Sequence, residues 1–262
     1  MQEKCEGSAA KSKKAKMDNL KEEICCLMQS QNGSIGKHQG IDELLFSLIE
    51  HRAMIYAFQH TDTEENPFNK YPFFKMWHLA ECYFVITVFG KLSSPGKKEK
   101  SLRHLWNKCQ DGLKADKIIS DIEWTQIRDL LSGASFTNVT SPVSRFRNKT
   151  IAHNETVLDL RWSDVDQEIK LLSRIWSVFS TWCAFRQAYP FSSGTEMFAG
   201  LDSYFSIDEL GKLSDKYEHY IGQFEHWCSE SLIEGDPATR RPFIKGPHDI
   251  AVTINFVEEP SK

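Results

Sequence analysis

The chain has 262 residues, of which 40% are hydrophobic and 26% charged, so it holds enough apolar material to bury a sizeable globular core. Its formal net charge of −4 excludes a general attraction to polyanions, and any contact with nucleic acid must come from local basic patches. Scattered cysteines without a Cys-x-x-Cys pair, an N-terminus without an apolar signal segment and no apolar run long enough to span a bilayer favour a cytoplasmic protein in a reducing compartment.

The N-terminal third begins with a lysine-rich segment, residues 1–16, which is predicted to be a disordered basic tail. Residues 17–28 place their apolar side chains on one helical face and predict a short amphipathic helix. After a linker of Gly, Ser and Asn, a wide apolar stripe predicts a helix over residues 41–58. The two prolines in residues 61–72 predict a loop.

The middle of the chain continues with a strongly apolar segment, residues 73–89, which predicts a helix that ends at Gly90. Two further helices are predicted near residues 101–110 and 121–131, and residues 132–141 have the composition of a flexible loop.

The most regular predicted helix spans residues 164–188, with Ser163 as a candidate N-cap and Pro190 as its end. Two seams of apolar residues run along it at alternating spacings of four and three. The first consists of Val165, Ile169, Leu172, Trp176, Phe179 and Cys183, and the second of Leu171, Ile175, Val178, Trp182 and Phe185. Two seams indicate a helix buried on more than one side, either at the centre of the chain's own core or against a second subunit.

The apolar pattern weakens after Pro190, where residues 207–224 predict one more helix and residues 250–257 a single short strand. We therefore predict a mainly α protein with a helical domain over residues 17–190 and an irregular C-terminal extension over residues 191–262, whose role the pattern does not indicate.

Two short stretches concentrate positive charge. Residues 91–108 hold six cations against the single acid Glu99, and residues 145–149 hold three cations without an acid. Such patches can attract a phosphate backbone to one face of a mildly acidic protein. The alternative for residues 91–108 is a solvated loop and helix face.

Residues 144–155 combine three cations, one imidazole and two amides just before the most apolar helix. Cleaving RNA requires a group that exchanges a proton, a cation that stabilises charge on the phosphate and a polar group that holds the geometry. His153 suits the first because the pKa of imidazole lies near neutrality. Arg147 suits the second because a guanidinium binds phosphate through paired hydrogen bonds, and Asn148 suits the third.

The run from Arg147 through Asn148 to His153 resembles the signature of the HEPN superfamily, which is an arginine, a polar residue and then a histidine after four to six intervening residues. Five residues lie between Arg147 and His153 here. Together with Tyr83-Phe-Val-Ile-Thr-Val-Phe-Gly-Lys-Leu92, Ser101-Leu-Arg-His-Leu105 and the long apolar helix after the motif, the pattern over residues 40–188 is similar to the U-type HEPN proteins of phage abortive-infection systems.

The resemblance implies a helical bundle that forms a homodimer, in which two copies of the motif face each other across a shared cleft. It also implies metal-independent RNA cleavage that leaves a 2′,3′-cyclic phosphate. By position, Arg147 would bind the scissile phosphate, His153 would act as acid or base and Asn148 would orient them. The predicted RNA-binding residues are Arg145, Lys149, Asn154, Lys97, Lys98, Lys100 and Arg103.

The spacing of Arg147 and His153 poses a geometric problem, because six residues along an ideal helix turn by about 600° and leave the two residues roughly 120° apart in projection. Either the helix is irregular here, or the long arginine reaches round it, or a second subunit completes the site. A purely structural role is the alternative, in which these side chains bond helix-end carbonyls or Asp159 and Asp164.

We therefore expect an endoribonuclease of an abortive-infection or toxin–antitoxin system, with RNA as substrate and an antitoxin or a nucleotidyltransferase as a further partner. The alternative is a non-catalytic HEPN module that binds a nucleotide or a partner protein. No phosphate-binding glycine loop and no zinc-finger spacing occurs in the chain, so neither a cofactor nor a metal ion is predicted.

Overall fold

The computed structural model describes residues 3–29, 40–63, 67–96, 100–132, 141–153, 158–184 and 191–229. Within these ranges the chain is mainly helical, which confirms the predicted fold class at that level. The helices are α1 Glu3–Met28, α2 Ile41–Gln59, α3 Pro67–Lys70, α4 Pro72–Ser93, α5 Leu102–Ala115, α6 Asp121–Ser132, α7 Pro142–Phe146, a π-helix Arg147–Ala152, α8 Trp162–Trp182, α9 Gly194–Met197 and α10 Ile207–Ser229. Among the described residues, no helix is both long and apolar enough to cross a membrane.

Helix α8 lies at the centre of the core and packs against α4, α5, α7 and α10. In both predicted seams the described residues are buried, apart from the half-buried Cys183, while Phe185 lies outside the described residues. The two seams are therefore covered within one chain, which is the central position that the sequence left open. A second subunit is not needed to cover them.

A buried ion pair ties three helices of this core together. The guanidinium of Arg52 on α2 donates to both carboxylate oxygens of Asp166 on α8, at 2.8 and 2.7 Å. The hydroxyl of Tyr220 on α10 donates to the same carboxylate at 2.6 Å, and the ring of Trp162 lies 4.4 Å from the guanidinium carbon. The charge of Arg52 is thus matched inside the core by one carboxylate and flanking aromatic rings.

Helix α1 differs from the prediction at its start. Residues 1–16 were predicted to be disordered, whereas the structure has helix from Glu3 through Met28. Lysine and alanine, which dominate the first part of this segment, both have high helix propensity. The second part is anchored to the core through the buried side chains of Ile24 and Met28, so the helix predicted over residues 17–28 is confirmed.

Other helix bounds also differ in detail. The predicted loop over residues 61–72 contains the short helix α3, with Pro67 at its first position, where a missing N–H costs nothing. Helix α8 begins after Arg161 rather than Ser163, and it ends at Trp182, shortly before Ala184 adopts a φ of 55°. Of the predicted loop over residues 132–141, Ser132 is the last residue of α6 and residues 133–140 lie outside the described residues. The predicted strand over residues 250–257 also lies outside them.

Helix α10 packs against α2 and α8, although the sequence assigned it to an extension beyond residue 190. Leu213, Tyr217, Tyr220 and Phe224 are buried in the same core cluster as the residues of α2 and α8. Residues 207–229 thus contribute to the core of the helical bundle rather than to a separate unit.

Candidate active site

The predicted active-site residues lie in one continuous helical segment, α7 followed by the π-helix, which we call the motif segment (residues 142–153). The N–H of His153 donates to the carbonyl of Asn148 at 3.2 Å, five residues back, which is the hydrogen-bond pattern of a π-helix. The helix is thus irregular between Arg147 and His153. π-Helical turns are rare and occur frequently at functional sites.

A buried carboxylate holds the start of the motif segment. Ser141 caps α7 by accepting the N–H of Ser144 at 3.1 Å, and its hydroxyl donates to both oxygens of Glu168 on α8 at 2.8 Å. The N–H of Val143 also bonds to Glu168. Burial raises the pKa of Glu168 to about 8, and these hydrogen bonds only partly offset it. Since Val143 and Phe146 are buried as well, α8 fixes the position of this segment.

The raised pKa of Glu168 predicts a pH-dependent stability that Glu168→Gln removes. An unfolded glutamate loses its proton near pH 4.5, whereas folded Glu168 keeps it up to about pH 8, so in this window the folded protein binds more protons. The free energy of unfolding should therefore fall as the pH rises from about 4.5 to about 8, by up to about 1.4 kcal/mol per pH unit. Urea unfolding of wild type and variant across this window measures the difference.

The exposed Glu225 on α10 provides the control for this experiment, because Glu225→Gln removes a carboxylate without touching the buried cluster. The control variant should keep the wild-type dependence on pH. If the free energy of unfolding changed equally with pH in wild type and in Glu168→Gln, Glu168 would not be protonated in the folded protein over this pH window.

The end of the motif segment is held by Thr150, whose buried hydroxyl oxygen accepts the N–H of Leu158 at 3.3 Å. This bond ties the chain after the motif back to the π-helix. Asn154, one of the predicted RNA-binding residues, lies outside the described residues.

Arg147, the first residue of the π-helix, lies across α4 at Gly90. A Cβ atom built on Gly90 would be 2.5 Å from Cδ and 2.6 Å from Nε of Arg147, so the arginine occupies the space that any other residue at position 90 would fill. The sequence prediction that α4 ends at Gly90 was wrong, because the helix continues through this buried glycine to Ser93. The glycine provides a notch for an arginine and does not end the helix.

The remaining motif side chains face outward to different degrees. Asn148 is half-buried, and its side-chain oxygen lies 3.5 Å from Nη1 of Arg147, the outer limit for a hydrogen bond. His153, Lys149 and Arg145 are exposed. The structure thus brings Arg147 and Asn148 together, whereas among the described residues no hydrogen bond joins the side chains of Arg147 and His153.

The structural alternative assigned these side chains to helix-end carbonyls or to Asp159 and Asp164. Asp159 forms an ion pair with Arg161 instead, at 3.7 Å. Within the described part of the chain, neither Arg147 nor His153 forms an ion pair.

The predicted basic surface is only partly supported by the positions of its residues. Arg103 is buried and donates from Nη2 to the carbonyl of Leu131 at 3.0 Å, where it joins α5 to the end of α6. Its assignment to RNA is therefore replaced by a structural role. Lys100 is exposed, whereas Lys97 and Lys98 lie outside the described residues.

Three residues that position the site were missed in the sequence, namely Gly90, Ser141 and Glu168. The Ser141-Pro142 pair is a recognisable helix start, with an N-cap residue followed by proline at the first helical position. Glu168 could have been suspected as a carboxylate between the apolar seams of α8. No local signal connects Gly90 with Arg147, because 56 positions separate them and the contact depends on how α4 and the π-helix pack.

Comparisons with protein-family models, with curated proteins and with solved structures found no match to this chain. Together, the fold and the candidate site define a mainly helical protein with an irregular motif segment. This segment carries Arg147, whose side chain packs against Gly90, and the exposed His153.

Proposed function

We propose that this protein is a metal-independent endoribonuclease of a phage-defence system, of the abortive-infection or toxin–antitoxin kind. The observation that supports it is the environment of the Arg147 side chain. Its side chain is held in the notch at Gly90, and within the described residues no carboxylate neutralises its guanidinium. A guanidinium held in this way, with an exposed imidazole in the same segment, suits a phosphodiester substrate.

The reaction we propose is an attack of the ribose 2′-oxygen on the adjacent phosphorus, with breakage of the bond between phosphorus and the 5′-oxygen. The products are a 2′,3′-cyclic phosphate and a 5′-hydroxyl. Arg147 binds the phosphate oxygens and stabilises the charge that develops on them. His153 exchanges the proton, either by taking it from the 2′-hydroxyl or by giving one to the 5′-oxygen. Asn148 orients the guanidinium.

A second copy of the chain gives this mechanism its missing group. The reaction needs both a base and an acid, and the motif segment contains a single histidine. In a homodimer with facing motifs, His153 of one protomer would serve as base and that of its partner as acid. The exposed cations Arg145, Lys149 and Lys100 would contact the RNA backbone, and an antitoxin or a nucleotidyltransferase would restrain the activity.

The product of the reaction tests this proposal. Wild-type protein is incubated with single-stranded RNA in the presence of excess EDTA, and the new ends are identified by mass spectrometry. We expect a 2′,3′-cyclic phosphate and a 5′-hydroxyl. A substrate that carries a 2′-deoxy sugar at the cleaved nucleotide should resist, since it lacks the attacking oxygen. Cleavage that stops with EDTA, or that tolerates the deoxy sugar, would contradict the proposal.

The same experiment separates the alternative function. A protein that binds RNA or nucleotides through Arg147 but yields no new RNA ends would be the non-catalytic HEPN module that the sequence offers as the alternative. Binding without cleavage would favour that alternative.

The close contact between Gly90 and Arg147 allows a variant that should lose cleavage activity while it keeps its folded structure. Gly90→Ala supplies a residue with better helix propensity, but its Cβ collides with the side chain of Arg147 and must displace it. We expect the helical fold to be retained and RNA cleavage to fall roughly tenfold to a hundredfold, because small misplacements of a catalytic group have effects of this size. Initial cleavage rates and thermal unfolding measure the two quantities.

Gly211 and Gly222 provide matched controls, since both lie inside α10 and a Cβ on either would meet no atom within 4 Å. Gly211→Ala and Gly222→Ala should raise stability by up to about 1 kcal/mol and leave cleavage unchanged. If Gly90→Ala cleaved RNA as fast as these controls, the position of the Arg147 side chain against Gly90 would not matter for the reaction.

A further inference from the structure

Polar contacts join helix α1 to the ends of α5 and α8, and we call this group of contacts the α1 junction. Nζ of Lys21 lies 3.5 Å from a carboxylate oxygen of Asp116 and 5.1 Å from the ring centre of Trp182. The indole N–H of Trp182 donates to the same oxygen at 2.8 Å. Glu23 forms an ion pair with Lys108 of α5 at 2.6 Å. Since both ion pairs are partly exposed, they contribute little to holding α1 in place.

Two cysteines lie at the α1 junction. Cys183 directly follows Trp182 at the end of α8, and its Sγ lies 4.0 Å from the carbonyl oxygen of Lys21. In an α-helix this carbonyl accepts the N–H of the residue four positions later, which here is Cys25. The sulfur of Cys183 therefore lies against the helical turn that carries Cys25.

The two thiols also interact electrostatically. Burial raises the pKa of Cys183 to about 12, and the negative charge of a Cys25 thiolate contributes to this increase. Because such an effect falls off with distance, it agrees with two sulfur atoms that are neighbours across the α1 junction. Both side chains are half-buried, so a small oxidant from solvent can reach them.

A third thiol, that of Cys109 on α5, is also near Cys183 but is closed to solvent. Burial raises the pKa of Cys109 to about 12, Lys108 opposes this increase, and a Cys183 thiolate adds to it. Cys109 is only 1% exposed, so an oxidant does not reach it directly. Among these three thiols, Cys25 and Cys183 are therefore the pair that is open to solvent.

We propose that Cys25 and Cys183 form a redox-sensitive pair, and that a peroxide joins them by a disulfide bond that fixes α1 to the end of α8. The Cys25 thiolate attacks one peroxide oxygen, the O–O bond breaks, and a sulfenic acid and one water are formed. The thiolate of Cys183 then attacks the sulfur of this sulfenic acid, the S–O bond breaks, and a second water leaves. The two sulfur atoms lose two electrons, which the peroxide gains, and the two thiol protons end in the two waters.

The expected consequence of the disulfide is a firmer attachment of α1. The link connects residues that are far apart in the sequence, so it restricts a long loop of the unfolded chain. Disulfides in reducing compartments are usually transient and redox-sensing. Burial raises the pKa of Cys25 as well as that of Cys183, which keeps both thiols mostly protonated at neutral pH. The pair therefore stays reduced under mild conditions and reacts under sustained oxidation.

Peptide mapping after oxidation is the first test. The reduced protein is treated with hydrogen peroxide, its remaining thiols are alkylated in denaturant, and the chain is digested with trypsin. Since trypsin leaves Cys25 and Cys26 in one peptide, the Cys26→Ser variant is treated beside the wild type. In both proteins we expect this peptide to be linked to the peptide that contains Cys183, and reduction should separate them. Absence of this link, or a link of Cys183 to Cys109 instead, overturns the proposal.

Single cysteine variants separate this pair from the other thiols. Cys25→Ser and Cys183→Ser should each abolish the link, whereas Cys26→Ser and Cys109→Ala should keep it within one chain, which non-reducing gels verify. In the wild type, the rate of link formation should rise by up to about tenfold from pH 7 to pH 8, because the thiolate is the reacting form. A link that persists in Cys25→Ser, or a rate that does not change with pH, contradicts the proposed reaction.

Hydrogen exchange measures the effect of the disulfide on α1. In the oxidised wild type, the amides of residues 17–28 should exchange at least about tenfold more slowly than in the reduced protein, because the link restricts local opening of the helix. The same amides in Cys25→Ser should exchange alike before and after treatment with peroxide. A disulfide that forms without slowing this exchange would not fix α1, and the proposal would fail. None of these measurements involves RNA cleavage, so their result does not depend on the proposed function.

Discussion

Arg147→Ala and His153→Ala are each expected to reduce the rate of RNA cleavage by about 10²–10³-fold. Arg147 stabilises the charge that develops on the phosphate, and His153 transfers the proton, and losses of this size are typical when such a group is removed. The measurement is the initial rate on a labelled RNA at saturating protein. Because His153 is exposed and Arg147 forms no ion pair within the described residues, both variants should unfold at close to the wild-type temperature.

Two further variants give this result its controls. Arg147→Lys keeps the charge but loses the planar fork that binds two phosphate oxygens, so it should recover only part of the rate. Arg145→Ala removes an exposed cation two residues away and should weaken RNA binding while leaving the rate at saturation nearly unchanged. A folded His153→Ala protein that cleaves RNA at the wild-type rate would exclude His153 from the reaction.

Asp166→Ala is expected to lower the free energy of unfolding by about 3–5 kcal/mol. The substitution leaves the guanidinium of Arg52 buried without its carboxylate, and it removes the acceptor of the Tyr220 hydroxyl. Among the described residues, one nitrogen of Arg52, Nη1, already lacks a hydrogen-bond partner. Urea denaturation followed by tryptophan fluorescence measures the change.

Replacing both members of the pair distinguishes an unpaired charge from lost packing. Arg52→Met combined with Asp166→Leu should recover much of the stability, because apolar side chains of similar size can replace a buried ion pair. Lys212→Ala breaks an exposed pair with Asp208 on α10 and should have no measurable effect. If Asp166→Ala were as mild as Lys212→Ala, the buried pair would not contribute to holding α2, α8 and α10 together.

Helix positions were predictable where the apolar pattern of one segment was sufficient. The stripe over residues 41–58 became α2, and the two seams after residue 163 became the central helix α8. Both patterns are local, because side chains on one face of a helix recur every three or four residues. The same patterns could not show which neighbour covers each face, so the choice between a central helix and a subunit interface required the structure.

The motif predicts the residues of the candidate site, whereas their geometry required the structure. The motif fixes Arg147, Asn148 and His153 in one short segment, whereas the π-helical turn depends on anchors at both ends, Ser141 with Glu168 and Thr150 with Leu158. Two predictions made from neighbouring residues alone were wrong, because contacts between distant segments determine what these residues do. Gly90 follows an apolar run and was read as a helix end, and Arg103 was read as an RNA contact although it is bonded to α6.

A structure of the protein bound to an RNA with a 2′-deoxy sugar at the cleaved nucleotide tests the central claim most directly, since this RNA can bind but cannot react. We expect the guanidinium of Arg147 within hydrogen-bond distance of the scissile phosphate, and an imidazole of His153, from either protomer, beside the 2′-carbon or the 5′-oxygen of the same nucleotide. RNA bound elsewhere, or Arg147 and His153 in contact with different phosphates and no second protomer between them, would contradict it.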